Sequence, residues 1–518
     1  MDTLDEALAS AMSMIAGFSG IQWFFLVWVL WISTVVLRAN VRASKQAKLG
    51  ARAPPVPSKL PLGFGVLLRL IRNLRQNTVL EWTQEALNIP GRTVELRLVG
   101  MNMIMTDNID NIRAIMSTQF EHFGKGDTYR KIWSSLMRDS ILTTDGQLWQ
   151  ENRNHLVAHV AKIRPTDYAV TERHTQNLIN VVSDGEPHDT LDLLNRFAID
   201  VVSDIFYGTS TNSLVSNDQS LRDAIQQHKN RNTWRSLLSG LGALLPPNLK
   251  ACETIDRYLH GVLENFSPEN SETLEERDRK ASSLLGILFA QGVPQSILKD
   301  QIISVIVGGR DSVAIIITWG LYELVRHPNV LHALREEILA AIDSSGPLTP
   351  AQIDSLELLN GVVLETMRIH TSVGINVRTA LRDTSLPTGG GSDGTSPVGI
   401  LAGTNVIMGL DSVHRRTDIY GPDANEFNPR RWDSNRKPET WTYFPFNRGP
   451  RSCLGKNLAT MEVKYALCRL LRAFSVIELI EKVGEKVVVV DVEKHPAMKT
   501  KMAFNTKPAD IIWLRFRK

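Results

Sequence analysis

The chain opens with a long apolar run. No charged residue occurs from Ala7 to Leu37, and the densest part is Ile21–Leu37. A helix needs about 20 mostly apolar residues to cross a bilayer, so this run predicts a membrane-spanning helix. Trp23, Trp28 and Trp31 suit an interfacial or lipid-facing position. Pro54, Pro55, Pro57 and Pro61 then predict a stiff connector. Val94–Met105 reads as short β broken at Gly100. From about 108 to 370 the apolar spacing is mostly helical. The longest such pattern runs from Gln295 to Arg326 and ends before Pro328. It is apolar nearly all round, which places it in the core of a large body. Gly308-Gly-Arg-Asp-Ser312 interrupts it, so it lacks the unbroken run of a second span. Residues 373–410 turn to strands and Gly/Pro loops. A helix follows with apolar positions at Leu454, Leu458, Met461, Tyr465, Cys468 and Leu471, and the tail after Phe474 reads as short strands. No internal repeat is visible, and nothing in 61–518 reads as a linker. The expectation is a mainly α body with small β-sheets behind one N-terminal helix.

Charge orients this arrangement. Asp2, Asp5 and Glu6 precede the apolar run, and Arg38, Arg42, Lys45, Lys48 and Arg52 follow it. The positive-inside rule puts the following chain in the cytosol. The expected segments are a luminal N-terminus and anchor at 1–37, a basic and Pro-rich hinge at 38–60, and a cytosolic body at 61–518. The acidic start and the length of the run argue against a cleaved signal peptide. The net charge of +3 is spread along the chain with no basic block, so no nucleic-acid partner is expected. Three cysteines, Cys252, Cys453 and Cys468, exclude a disulfide framework and suit a reducing compartment. Cys468 continues an apolar stripe and reads as core; Cys252 reads as structural.

Cys453 is different. It lies in Phe446-Asn-Arg-Gly449-Pro-Arg451-Ser-Cys453-Leu-Gly455, directly before a helix. A helix N-terminus and nearby arginines stabilise a thiolate. A thiolate so held is a good ligand for haem iron and favours O–O cleavage there. The glycines allow close approach of a flat cofactor, and Arg451 can pair with a haem propionate. The interruption at 308–312 fits the same chemistry. Two glycines in a helix interior cost about 1 kcal/mol each, and a buried Asp costs more unless paired. Missing side chains leave room for dioxygen, and Asp311 with Ser312 can supply protons to it. The alternative is a helix kink in which Asp311 makes a solvated salt bridge. Glu365-Thr-Met-Arg368 places opposite charges at i,i+3, a pairing that Glu276–Arg279 and Glu323–Arg326 repeat elsewhere in the chain. Trp149 and Arg153 are spaced at i,i+4.

The stretch Phe446–Gly455 resembles the haem-binding loop of the cytochrome P-450 superfamily at every fixed position of F-x-x-G-x-R-x-C-x-G. The resemblance extends over about 55–518. It implies the cytochrome P-450 fold, with haem as cofactor and Cys453 as the axial iron ligand. Gly308–Ser312 resembles the family's Ala/Gly-Gly-x-Asp/Glu-Thr segment, with Ser312 where Thr is usual. Serine holds its rotamer less firmly than threonine, so looser coupling of proton delivery is expected. Glu365-x-x-Arg368 and Phe427-Asn-Pro429-Arg-Arg431-Trp432 resemble a structural triad, implying Glu365, Arg368 and Arg431 as its members. Trp149, Arg153 and Arg378 match positions that contact the haem propionates, and Phe446 belongs to the cysteine loop. Leu386–Gly391, His414–Arg416, Tyr420–Ala424 and Pro445–Arg451 are most similar to the fungal n-alkane and fatty-acid hydroxylases. One departure stands out. The family usually shows Pro-Pro after Glu-x-x-Arg, and this chain has Thr371-Ser372-Val-Gly374. A wider, more flexible pocket is expected there, because a Pro-Pro pair fixes backbone.

The resemblance implies a membrane-anchored haem-thiolate monooxygenase of the endoplasmic reticulum that oxidises a lipophilic substrate with O2. No GxGxxG nucleotide domain is present, so electrons are expected from NADPH through a separate cytochrome P-450 reductase. Fungal secondary metabolism, on a polyketide or terpenoid, is the expected setting. The rivals are a fatty-acid or alkane hydroxylase, a haem-thiolate isomerase or dehydratase, and a non-catalytic haem-binding protein. The Asp311–Ser312 pair argues against the last two.

Overall fold

The computed structural model describes residues 20–518 apart from 99–100, 217, 270, 272, 343–345, 434–439 and 485. Ala7–Ser19 of the expected anchor, and the acidic residues before it, lie outside the described residues. From Gly20 the chain is one helix, α1 (Gly20–Leu49). It continues past the expected end at Leu37, so the basic part of the expected hinge is helical. Phe24, Val27, Trp28, Leu30 and Leu37 of α1 are exposed. The proline connector is fastened rather than free. Val56 donates to Glu95 O at 3.0 Å, Glu95 N donates to Pro54 O at 2.8 Å, and Arg52 pairs with Glu95 at 2.7 Å.

Strands β1 (Thr93–Leu98) and β2 (Met101–Thr106) are antiparallel, and the expected break at Gly100 lies outside the described residues. After β3 (Phe123–Gly124) the chain becomes helical. The helices that matter here are α2 (Gly146–Val160), α3 (Thr190–Tyr207), α4 (Ser220–Leu237), α5 (Gln295–Arg326) and α6 (Glu357–Ile369). Strand β4 (His188–Asp189) precedes α3. Then come β5 (Ile375–Ala380), β6 (Asn405–Gly409), helix α7 (Lys456–Ala473), β7 (Val476–Val483), β8 (Lys486–Val489) and β9 (Trp513–Arg517). One sheet has the order β1-β2-β6-β5-β3 and a second has the order β8-β7-β9-β4.

Helix α5 is the axis of the body. By length and composition it could cross a membrane, but 83% of its most apolar window is buried inside the protein. Ile303, Ile306, Ala314, Ile317 and Trp319 are fully enclosed, so α5 is a core helix, as its all-round apolar pattern predicts. It ends at Arg326 because Pro328 follows and disfavours helix at His327. Gly309 lets α3 approach: a Cβ there would lie 2.7 Å from Val202 Cγ2. Cys468 is buried on α7. Cys252 is half-buried, with Sγ 3.4 Å from Ser135 O.

Candidate active site

The loop before α7 is wound tightly around Cys453. Cys453 N donates to Phe446 O at 2.9 Å, and Ser452 N donates to Gly449 O at 3.0 Å. Gly449 has φ +70°, and a Cβ there would sit 1.8 Å from Met116 O. Only glycine fits that approach. Cys453 is exposed by surface area, yet the protein around it desolvates the thiol, so it opens on an internal space. Burial pushes this thiol up; the Gly455 N–H and the Lys456 charge pull it down without overcoming burial. The expected thiolate stabilisation by Arg451 is not what the geometry provides, because Arg451 is turned to other partners. A bound metal cation would deprotonate such a thiol outright.

Arg451 donates to Thr144 O at 2.9 Å and to Asp145 Oδ1 at 2.5 Å. Its guanidinium lies 4.7 Å from the centre of the Trp149 ring and 5.8 Å from that of Phe120. Its Nε is buried with no hydrogen-bond partner among the described residues. Arg378, 6% exposed, is brought beside it by β5. Burial, then the Arg451 charge, lowers the Arg378 guanidinium to about 10. Lys125, between Gly124 and Gly126, completes the group. Its ammonium sits 4.7 Å over the Tyr129 ring. Burial, then Arg378 and Arg451, lower it, and Asp145 opposes them. Three clustered cations, Arg378 buried and Lys125 and Arg451 half-buried, therefore share one carboxylate. Such an excess is costly unless an anion joins it. The two carboxylates of a haem would supply that anion on the side of the loop that carries Cys453, so the residues present fit the group. Arg153 is half-buried one turn from Trp149. In the sequence only its flanking glycines, Gly124 and Gly126, mark this lysine.

Helix α5 passes this region with Gly308 outermost. A Cβ on Gly308 would meet nothing within 4 Å, and Gly308 is exposed although the helix around it is buried. The expected acid–alcohol pair is divided. Asp311 is ion-paired with Lys229 of α4 and with Arg310 Nε at 2.8 Å. Burial pushes its carboxyl up, but the Arg310 and Lys229 charges prevail and hold it well below the usual range. It is therefore neither a kink residue nor a solvated one. Lys229, 2% exposed, is invisible in the sequence, where it resembles the solvated face of a helix. A cleft of about 20 Å³, room for a water, is lined by Lys229, Asp311, Asn505 and Lys507. Ser312 has other partners: Ser372 Oγ donates to its Oγ at 3.0 Å, and Asn505 Nδ2 lies at 3.4 Å.

The segment expected to widen the pocket is instead pinned. His370 stacks on Trp319 at 3.7 Å between ring centres and reaches Glu323 Oε1 at 2.6 Å. Thr371 Oγ1 donates to Met367 O at 2.8 Å, and Thr506 N donates to Ser372 O at 2.9 Å. A Cβ on Gly374 would already touch Asp411 and Thr506 at 3.2 Å. Hydrogen bonds and packing thus do here what two prolines do by ring constraint.

Behind the loop, Glu365, Arg368 and Arg431 meet. Glu365 pairs with Arg368 at 2.7 Å and with Arg431 at 3.3 Å. Arg368 also donates to His414 O at 2.7 Å, Ala424 O at 2.5 Å and Glu426 O at 3.0 Å. Trp432 Nε1 donates to Glu365 at 2.9 Å. Both Glu365 and Arg368 are fully buried, so the cluster ties α6 to the segment ahead of the cysteine loop.

Comparison with known proteins gives the same picture. The family model described as Cytochrome P450 matches residues 54–489. The chain is 31% identical over 508 residues to "Cytochrome P450 monooxygenase pvhE" of Talaromyces variabilis, covering 92% of each chain. It is 29% identical to "Cytochrome P450 52A13" of Debaryomyces hansenii, covering 88% of this chain and 92% of that one. Among solved structures, the cytochrome P450DA heme domain superposes with a TM-score of 0.72 at 18% identity, covering 91% of this chain and 98% of that one.

Proposed function

The chain belongs to the cytochrome P450 family, a monooxygenase family that binds haem through a cysteine thiolate and uses O2, lipophilic substrates and a redox partner, and on that premise we propose how this member works. Cys453 would supply the thiolate that ligates the haem iron. Lys125, Arg378 and Arg451, with Arg153 and the ring of Trp149, hold the propionates. The observation that carries this is the cluster of three cations sharing Asp145 beside the cysteine loop. The bound haem supplies the activation of O2 and the insertion of one oxygen atom into a C–H bond, the other leaving as water with two electrons and two protons.

The chain's own residues position and feed that chemistry. Gly308 leaves the space above the cofactor open. Ser312 Oγ is the last proton donor before it. Asp311 remains a carboxylate, held by Lys229 and Arg310, and orders water in the cleft through which protons pass. The Glu365–Arg368–Arg431 cluster fixes the protein behind the loop. NADPH–cytochrome P450 reductase is the electron donor in this reading, because the family draws its electrons from a redox partner.

The exposed apolar side chains of α1 support a single-pass anchor at 1–37 in the endoplasmic reticulum membrane. The segment 38–60 then leads to a cytosolic catalytic domain at 61–518. The substrate is a lipophilic secondary metabolite, a polyketide or terpenoid, rather than a linear acid. Supporting this is the polar set Thr371, Ser372 and Asn505 beside Ser312, in a segment where the family usually shows a Pro-Pro pair. Oxidation of a fatty acid or alkane is the second reading, favoured by similarity to the 52A13 protein across most of both chains. A spectral-shift screen of purified protein with a fungal reductase, followed by product analysis, separates them. Tight binding and exclusive terminal hydroxylation of linear acids would reject the first reading in favour of the second.

A further inference from the structure

Two departures from the family's sequence pattern touch each other in space. Ser312 stands where threonine is usual, and Ser372, 60 residues later in the chain, lies in the segment where the family usually shows a Pro-Pro pair and touches Ser312. Threonine's methyl group restricts χ1; serine has no such restraint. A lone serine on α5 would therefore share its hydroxyl among several rotamers. Here Ser372 Oγ donates to Ser312 Oγ at 3.0 Å. Asn505 Nδ2 lies 3.0 Å from Ser372 Oγ and 3.4 Å from Ser312 Oγ.

We propose that Ser372 and Asn505 are positioning residues that fix the Ser312 hydroxyl by hydrogen bonding, in place of the methyl group that this chain lacks. The inference rests on the reading that Ser312 donates a proton above the haem. A hydroxyl has two lone pairs and one hydrogen. With both lone pairs of Ser312 Oγ occupied by donors, its hydrogen has one direction left. A proline at 372 could not take part, having no hydroxyl.

The support behind the pair is rigid. Ser372 is 7% and Asn505 8% exposed. Thr506 N donates to Ser372 O at 2.9 Å, and Thr506 Oγ1 donates to Thr371 O. These two bonds tie the turn at 371–372 to the segment 505–506. Asn505 Oδ1 is buried with no partner among the described residues. An unsatisfied buried acceptor is costly, and such costs are retained at functional sites.

The test uses full-length holoenzyme with reductase and NADPH, and crystal structures of the same variants. Dodecanoic acid and a polycyclic terpenoid are parallel probes, of which the one that leaves wild type with the lower peroxide yield is carried forward. Haem content and the CO-bound spectrum serve as controls. In Ser372→Ala, and separately in Asn505→Leu, residue 312 should populate more than one χ1 rotamer. Loss of one hydrogen bond shifts such a ratio about fivefold. Hydrogen peroxide released per NADPH should rise in step. Adding Ser312→Thr to Ser372→Ala should restore one rotamer and the low peroxide yield, because the methyl then does the work of the clamp. A single unchanged rotamer at 312 in both variants overturns the proposal, as does failure of threonine to rescue. Ser312→Ala reports on the underlying reading by itself. If its peroxide yield equals that of the wild type, proton donation by Ser312 fails, whatever the rotamers show.

Discussion

Replacing Glu462 with glutamine should stabilise the protein, and more so as pH rises from 5 to 8. Glu462 lies on α7, the helix that leaves the cysteine loop. It is 1% exposed, and its Oε2 has no hydrogen-bond partner among the described residues. Burial first, then the negative charge of Asp167, pushes its carboxyl up from 4.5 to about 8. A carboxyl raised in this way is neutral in both folded and unfolded chains at low pH and costs nothing there. As pH climbs past 4.5, the unfolded chain ionises while the folded one does not. Folding then loses about 1.4 kcal/mol for each pH unit, and the loss levels off once the folded group also ionises near 8. At neutral pH the accumulated loss is roughly 3 kcal/mol. Glu462→Gln keeps the shape and removes the titration, so its advantage over wild type should widen across pH 5–8 and then become constant. Thermal or urea midpoints for the two proteins at each pH measure this, followed by the CO-bound spectrum as well as by circular dichroism. A gap that is flat or narrows with rising pH would refute a protonated Glu462.

Other perturbations probe the site directly. Arg368→Ala removes the partner of a fully buried Glu365 and the donor to three backbone carbonyls; a loss of about 3–5 kcal/mol should appear as a collapse of haem-containing yield. Lys229→Met leaves the buried Asp311 with Arg310 and the weaker influence of Lys507, so a double-mutant cycle with Asp311→Asn should show coupling of about 1–3 kcal/mol, and additive effects would remove Lys229 from the site. Cys453→Ser should abolish the red-shifted CO band of thiolate-ligated haem together with all turnover; keeping both would sink the ligand assignment. Deleting residues 1–37 should move the protein from the membrane fraction towards the soluble one without loss of haem, and a full-length protein already soluble would contradict the anchor.

The features that sequence alone made legible are local ones. The cysteine loop is contiguous, so its glycines, arginine and thiol announce each other within ten positions of chain. The limits of α5 follow from apolar spacing and one proline, both read over neighbouring residues. Glu365 and Arg368 share a helical turn, and Arg431 was reached only through a motif downstream. What the sequence could not show depends on contacts across the chain. Lys229 and Asp311 are 82 residues apart, and a lysine that faces inward has the same spacing as one that faces water. The cation cluster of Lys125, Arg378 and Arg451 draws on three separate segments, and only the fold encloses their charges together. The segment 371–374 looked loose because hydrogen-bonding side chains had replaced rings. Its rigidity comes from Asn505 and Thr506, more than 130 residues further on. Propensity and spacing act over a few residues and can be read from the order of residues. Burial, charge balance and the direction of a hydroxyl depend on which distant segments meet, and packing alone decides that.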